Sequence, residues 1–338
     1  MEEYDLTIIG GGPIGIFAAS YANLRSLKVQ LIESLEQLGG QITALYPHKN
    51  ILDVAGYPAI EGEQLVKKLV AQLQQFKTTV KLATLVTDVT NPAPNEFIIT
   101  TNRGISKSKA VIMATGKGRF EPRRLPFDGT LTPSIQKHIH YALNQPAVFQ
   151  GKRVLVAGGG DSAVDLALQV NALAKQTYLV HRRDQFRALE HSVAQLKAST
   201  IIKTVPYLID SITQAADGSL AVTLKKLRTD ETQVIVVDEI IISYGFISEN
   251  KMLQAWSVNV AQDPKTLNVL VNQELMTNVA GLFAIGDVSQ YQGKTDLIAT
   301  GFGEGPLAVN AAVRGFAPDQ RGPIHSSSLK IANGEIEK

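Results

Sequence analysis

The sequence predicts an α/β protein made of two Rossmann-like, three-layer ββα domains, one inserted into the other. Three observations predict it. A strand, glycine turn, helix and strand open the chain at Tyr4 to Glu33. A second copy of that unit lies at 152–181. A late buried strand in GLFAIGD, residues 281–287, follows the second copy and returns to finish the first. The expected division is 1–116 and 247–338 for the outer domain and 117–246 for the inserted one.

Leu6, Ile8 and Ile9 form the short buried strand of the first unit. Gly10, Gly12 and Gly15 follow at G-x-G-x-x-G spacing. The first glycine permits a tight turn. The second lets backbone approach a pyrophosphate, and the third lets helix and strand pack closely. A helix from Pro13 aims its N-terminal amides at that pyrophosphate, and proline suits a first turn where an N–H is dispensable. Lys28 to Ile32 form the next strand, with Glu33 at its end. A carboxylate there accepts hydrogen bonds from the two hydroxyls of an adenosine ribose. Glycine loop, flanking strand and helix, and an acid about 20 residues on together make a dinucleotide site. Glu33 favours a free ribose diol, as in FAD or NAD.

The 338 residues suffice for two or three domains, and 44% hydrophobic with 19% charged residues is ordinary globular composition. A net charge of +2 gives no general case for nucleic acid or anionic membrane. Cysteine is absent, which excludes disulfides, thiolate metal sites, thiol nucleophiles and a dithiol relay. The acidic start, Met1-Glu2-Glu3, lacks the basic region of a signal peptide, and no apolar run reaches membrane-spanning length. A cytoplasmic location is the expectation.

Residues 34–60 form a long connection with Gly39-Gly40, Pro47, Gly56 and Pro58, and long loops in compact domains are usually functional. Glu61 to Phe76 is an amphipathic helix, with Leu65, Leu69 and Leu73 at i, i+4, i+8. Val80 to Val86 reads as a strand, 96–101 and 110–114 as further strands, and Asn91-Pro92 as a turn between two of them. Ala114-Thr115-Gly116 closes the unit. The basic, proline-bearing stretch Lys117 to Pro126 suits an interdomain crossing.

In the second copy, Lys152 to Ala157 is the strand, and Gly158, Gly160 and Ala163 give G-x-G-x-x-A. The helix runs through Val164, Leu166, Leu168 and Val170, and the next strand, Thr177 to Val180, ends at His181. An offset of 148 residues carries Gly10 onto Gly158 and Glu33 onto His181. Arg182, Arg183 and Arg187 come next. A carboxylate at this place would repel a 2′-phosphate, whereas guanidinium groups bind one bidentately. The second unit is therefore expected to take NADP(H). A helix near Glu190 to Ala198 and strands near 201–205, 219–227, 232–238 and 239–243 complete it, and Tyr244-Gly245-Phe246 marks the return crossing. Asp287, at a strand end beside a helix start, suits a polyol hydroxyl. A last helix passes through Leu307, Ala308, Ala311 and Ala312.

GGGPIG, Ala114-Thr115-Gly116, GGGDSAVD (158–165), HRRDQFR (181–187) and GLFAIGD together resemble the thioredoxin reductase class of flavoproteins over nearly the whole chain. That class carries Cys-x-x-Cys before the second glycine motif; here His138, His140 and Tyr141 stand in that region. The chain is more similar to the ferredoxin/flavodoxin–NADP reductases on the same scaffold, through LGGQITALYP (38–47), LIATGFGEGPLAVN (297–310) and HSSS (325–328). The resemblance implies one non-covalent FAD per subunit, held at Gly10, Gly12, Pro13, Gly15, Glu33, Gln41, Tyr46, Val86, Phe120, Asp287 and Ser327. Tyr46 would stack on one face of the isoalloxazine and His325, in the C-terminal extension, on the other, from its own subunit or the partner of a homodimer. NADP(H) would meet Gly158, Gly160, Asp161, Ser162, Ala163, His181, Arg182, Arg183 and Arg187. Leu189 departs from the family, where a histidine is common.

Such a reaction needs no acid or base at the reacting carbon, because the cofactor supplies the chemistry and the protein the orientation. The implied route is NADPH to FAD to ferredoxin or flavodoxin. A diaphorase or oxidase with a small acceptor, and a non-enzymatic FAD redox sensor, are the alternatives. No metal is expected: two histidines two apart, without an acid cluster, make a poor ligand set. Gly293-Lys294-Thr295 mimics the end of a P-loop, but Val288 stands where the upstream glycine belongs. Lys117, Arg119, Arg123 and Arg124 read equally as a landing patch for an acidic carrier protein and as a solvated linker.

Overall fold

The computed structural model describes residues 1–143, 145–320, 322, 330–332 and 334–337. His325 and Ser327 lie outside the described residues. The chain divides into two compact units, Met1–Arg119 with Ser248–Lys338, and Phe120–Ile247.

The first unit is built on a sheet ordered Thr79–Lys81, Val29–Ile32, Glu2–Ile9, Gly104–Met113, Glu96–Thr101, Val86–Ala93. Its first four strands are parallel. The strand Gly104–Met113 serves two neighbours. Its first half pairs antiparallel with Glu96–Thr101, and Val111 to Met113 pair in parallel with Leu282–Ala284. This fork is where the late segment of the chain rejoins the early one. Strand residues alternate between two cores, as a period of two requires. Leu6, Ile8, Leu31, Ile112 and Phe283 pack with helices Pro13–Leu24, Gly62–Leu73 and Ile298–Phe316. Ile9, Ile32, Val111, Met113 and Leu282 face the opposite way, onto Phe97, Ile99, Trp256 and Val258.

The second unit has a parallel sheet ordered Ile139–His140, Glu239–Ile242, Arg153–Ala157, Gln176–Val180, Ile202–Thr204. Helices Asp161–Asn171 and Glu190–Ala198 cover one face through Val164, Ala167, Val170 and Leu196. A three-stranded antiparallel sheet, Tyr207–Gln214, Leu220–Lys226 and Thr232–Val237, covers the other through Ile209, Val222 and Leu224. Each unit is thus a ββα sandwich.

Four local expectations change. The single strand at 80–86 is two, Thr79–Lys81 and the start of Val86–Ala93. Between them Ala83 takes φ +45°, and Ala83 and Thr84 donate their N–H groups to the carbonyls of Leu35 and Glu33. The turn lies at 94–95, not at Asn91-Pro92: the Asn91 amide bonds both the Ala93 and Glu96 carbonyls, and Asn95 takes φ +57°. The strand Tyr207–Gln214 was not expected; its buried residues are only Ile209 and Ile212, with a bulge between Ile209 and Ser211 that interrupts the alternation. The long connection 34–60 contains a short helix, Gly40–Leu45.

Candidate functional site

At the C-terminal end of the first parallel sheet, four backbone segments converge. Gly10 ends the first strand with φ +112°, and a Cβ there would lie 2.3 Å from the Ala114 carbonyl oxygen. A Cβ on Gly15 would lie 1.9 Å from the Gly10 oxygen. These two glycines are packing requirements. Gly12 differs: it caps the helix Pro13–Leu24 in an extended conformation, φ −69°, and a Cβ there would meet nothing within 4 Å. Open space stands over the helix N-terminus, where an anion is favoured by exposed amides and the helix dipole.

A second glycine pair packs onto this loop. Gly39 donates its N–H to Gly11 O at 2.8 Å, and a Cβ on Gly40 would lie 3.0 Å from Gly12 Cα. The pair starts the helix Gly40–Leu45 and so sets Gln41, whose Nε2 lies 3.8 Å from where a Gly116 Cβ would be. Tyr46 follows that helix directly, largely buried. Burial, then the charges of Asp287 and Asp53, push its hydroxyl up to about 12. Thr115 Oγ1 is buried without a hydrogen-bond partner among the described residues. An orphaned hydroxyl of this kind calls for a partner that the described residues do not supply.

Glu33 is 6% exposed. One carboxylate oxygen accepts the Gly11 N–H at 2.7 Å, and the other accepts the Leu35 N–H at 2.8 Å and the Ser34 hydroxyl at 3.1 Å. The acid is thereby fixed against the glycine loop, with one acceptor site left on the oxygen that faces Gly11. Val86 is buried, just past the turn that bonds back to Glu33. Asp287 stands in the turn after Leu282–Ala284. Burial raises its carboxyl, Asp296 adds to this, and Lys117 and Lys294 oppose it. Phe120 lies in the strand Arg119–Pro122. The structure therefore brings Gly10, Gly12, Pro13, Gly15, Glu33 and Gln41 to one sheet end, with the Ala114 to Gly116 segment.

The second unit repeats the plan with different chemistry. A Cβ on Gly158 would lie 2.2 Å from Ser243 O and 2.7 Å from the Ala163 methyl, so Gly158 and small Ala163 form one close contact. Gly159 is pressed by the His181 ring, 2.2 Å from its would-be Cβ. Residues after His181 fold back along the loop: Arg187 donates its N–H to Gly159 O at 2.7 Å, and Asp161 accepts the Leu189 N–H at 2.7 Å. Asp161 is thus occupied in fastening the basic loop to the glycine helix, while Ser162 is exposed beside it. Arg182, Arg183 and Arg187 are exposed, and none of their guanidinium groups makes an ion pair among the described residues. An unneutralised cationic cluster beside a helix N-terminus is a ready anion site.

His181 stacks on Phe186, 5.6 Å between ring centroids, and its Nε2 is buried without a partner among the described residues. Burial first, then Arg183 and Arg182, lower its pKa below the ordinary 6.5. The unfolded chain then binds a proton near pH 6.5 that the folded chain takes up only at lower pH, so stability falls as pH drops through that interval. His181→Asn will flatten this loss below about pH 6.5, read as urea midpoints of the two proteins. An unchanged pH profile would show that His181 does not carry the effect.

The two histidines at 138 and 140 both reach the buried carboxylate of Glu239, at 3.2 and 2.8 Å, with Lys152 at 2.6 Å. Among the described residues no three His, Cys, Asp or Glu side chains gather as a metal site. In the basic stretch, Lys117 pairs with Asp296 at 2.9 Å and donates to the Asp287 carbonyl at 3.2 Å, and Arg124 pairs with Asp128 at 2.9 Å. Sequence reasoning missed the packing of Gly39-Gly40 on Gly11-Gly12, the buried hydroxyl of Thr115, and Glu304. The paired glycines were a visible signal; the other two were not.

The family description "Pyridine nucleotide-disulphide oxidoreductase" matches residues 4–314. The ferredoxin–NADP reductase of Leuconostoc mesenteroides is 47% identical over 337 residues, covering 99% of both chains. That of Lactiplantibacillus plantarum is 48% identical over 328 residues, covering 97% of this chain and 98% of its own. The chain belongs to the pyridine nucleotide-disulphide oxidoreductase family, with the ferredoxin–NADP reductases. Among solved structures, a thioredoxin reductase of Lactococcus lactis in its FR conformation superposes with TM-score 0.76 at 26% identity, over 93% of this chain and 99% of its own. A thioredoxin reductase from T. acidophilum gives TM-score 0.77 at 23% identity, over 92% and 98%. The chain thus shares its fold with these thioredoxin reductases, and its sequence contains no cysteine. No helix among the described residues is long and apolar enough to cross a membrane.

Proposed function

We propose that the protein is a cytoplasmic, homodimeric FAD enzyme that moves electrons between NADPH and ferredoxin or flavodoxin. FAD belongs in the first unit and NADP(H) in the second. One observation carries this assignment: at equivalent strand ends the first unit presents buried Glu33, and the second presents His181 followed by exposed Arg182, Arg183 and Arg187, which make no ion pair among the described residues. An acid suits a free ribose diol; guanidinium groups suit a 2′-phosphate. The open space at Gly12 and the orphaned Thr115 hydroxyl fit a bound pyrophosphate and flavin.

Bound FAD would supply the exchange between hydride transfer with nicotinamide and single-electron transfer with the carrier. This chain's part is to bind and orient. Gly12, Pro13 and the helix N-terminus hold the pyrophosphate, Glu33 the ribose and Val86 the adenine. Gln41, Tyr46 and Asp287 line the flavin side, and the family resemblance adds Phe120 and Ser327 to the FAD contacts. Tyr46 stays protonated over the working pH range, since its hydroxyl sits near 12, so it offers a neutral ring for stacking. Gly158, Gly160, Asp161, Ser162 and Ala163 form the NADP loop. The two crossings carry glycines at positive φ, Gly116 at +60°, Gly118 at +76° and Gly245 at +82°, which suits them to act as hinges.

The decisive test is anaerobic titration of the yellow protein with NADPH, then addition of carriers. Bleaching of the flavin band, with recovery on adding oxidised ferredoxin or flavodoxin, is expected. Recovery only with quinone or oxygen would replace this reading with the diaphorase or oxidase; no bleaching would leave the redox sensor. Removing residues from His325 onward should change the stopped-flow rate of flavin reduction. An unchanged rate and flavin spectrum would end the assignment of His325 as a flavin cover.

A further inference from the structure

A buried ion pair lies beneath Asp287 and takes no part in the scheme above. Glu304, 3% exposed, sits within the helix Ile298–Phe316, and Lys294, whose side chain is 4% exposed, reaches it from the preceding connection. Small residues bring this helix close: Gly301 packs on Ile14 and Gly305 on Ala18 of the first helix. Glu304 Oε2 accepts the Gly286 N–H at 2.5 Å, and Oε1 accepts the Tyr291 hydroxyl at 2.6 Å together with the Lys294 ammonium. Burial and the Glu304 charge push the Tyr291 hydroxyl up, so it remains a donor. A pair taken this far from water is tolerated only where geometry and further hydrogen bonds compensate, and three donors on one carboxylate meet that demand.

Gly286 begins the turn at φ +71°. Its N–H is held from below by Glu304, and the carbonyl of the next residue, Asp287, is held by Lys117 at 3.2 Å. The backbone is therefore fixed on both sides of the Asp287 side chain. We propose that Glu304 is a positioning residue for FAD: by gripping the Gly286 amide it aims Asp287 at the flavin's polyol chain without touching the flavin itself. The inference rests on the assignment of Asp287 made above.

The test measures FAD binding to apoprotein made from the purified flavoprotein, by quenching of FAD fluorescence. Lys294→Met removes the buried cation, so that Glu304 can be changed without stranding a charge. Lys294→Met/Glu304→Gln keeps an acceptor for Gly286 and should bind FAD within about threefold of wild type. Lys294→Met/Glu304→Ala leaves the amide unsatisfied and should bind about tenfold more weakly. In an Asp287→Asn background, itself weaker than wild type, that difference between Gln and Ala should vanish. Equal affinity of the Gln and Ala variants, or a difference that persists without Asp287, would overturn the proposal while leaving the FAD site standing. An Asp287→Asn protein that holds FAD like wild type would overturn both. If the Ala variant does not fold, Tyr291→Phe, which removes one of the three donors, should weaken FAD about threefold, and unchanged affinity would overturn the proposal.

Discussion

Gly15→Ala and Gly12→Ala proteins will both purify without a yellow colour, for opposite reasons. At Gly15 the new methyl would lie 1.9 Å from the carbonyl oxygen of Gly10 and 3.3 Å from the Ala114 side chain. The nearest obstacle is backbone, which has no rotamer to change, so the helix Pro13–Leu24 must move off the sheet. Overpacking of a tight core typically costs about 1–3 kcal/mol, and a contact to main chain belongs at the top of that range. For a unit of this size about 3 kcal/mol lowers the melting temperature by about 6–12 °C. At Gly12 the methyl meets no protein atom, and φ −69° is open to any residue. The apoprotein should unfold within about 4 °C of wild type, since alanine is a poorer helix N-cap than glycine by no more than about 1 kcal/mol. It should still fail to take up FAD, because the methyl fills the space assigned to the pyrophosphate. The check is a thermal melt of each apoprotein beside its flavin content after reconstitution. A Gly12→Ala protein that binds FAD normally would mean that the space over this helix is not a phosphate site.

The same contrast shows how much of the site was legible in the chain. Glycine spacing gave the turn, and the strand and helix around it gave the loop's direction, because those follow from local conformation and a period of two or 3.6. Glu33 and the arginines after position 181 could be placed by overlaying one unit on the other. Glu304 could not. It reads as one acid in a helix of small residues, and its meaning depends on Gly286, 18 positions back, on Tyr291 and on Lys294. Nothing local in the sequence pairs those residues. The break at Ala83 was hidden for a similar reason: the chain leaves the strand to bond with Leu35 and Glu33, a tertiary demand on a stretch of good strand formers. His138 and His140 are the converse case. They look like chemistry in the sequence, and the structure shows them satisfying a buried carboxylate.

Arg182→Ala should raise the Michaelis constant for NADPH about ten- to a hundredfold and leave that for NADH within about twofold. Loss of one charge-assisted, bidentate phosphate contact is worth about 1.5–3 kcal/mol, which sets the range. The arginine has little else to do: it is exposed, and no carboxylate pairs with it among the described residues. The substitution also takes a positive charge from beside His181, one of the causes that lower that ring's pKa. Arg182→Lys should recover only part of the loss, because an ammonium keeps the charge and forfeits the planar fork. Arg183 and Arg187 share the exposed cluster, so Arg182→Ala/Arg183→Ala should lose more than either alone without reaching the product of the two effects. Salt gives an independent reading. Contacts between exposed charges are screened over about 8–10 Å, so the wild-type constant for NADPH should climb between 50 and 300 mM salt while that for NADH stays nearly level. Steady-state kinetics with both coenzymes, at two salt concentrations, decide the matter. If Arg182→Ala harms NADPH and NADH equally, the arginines steer no 2′-phosphate, and the second unit's preference must lie in another part of its loop.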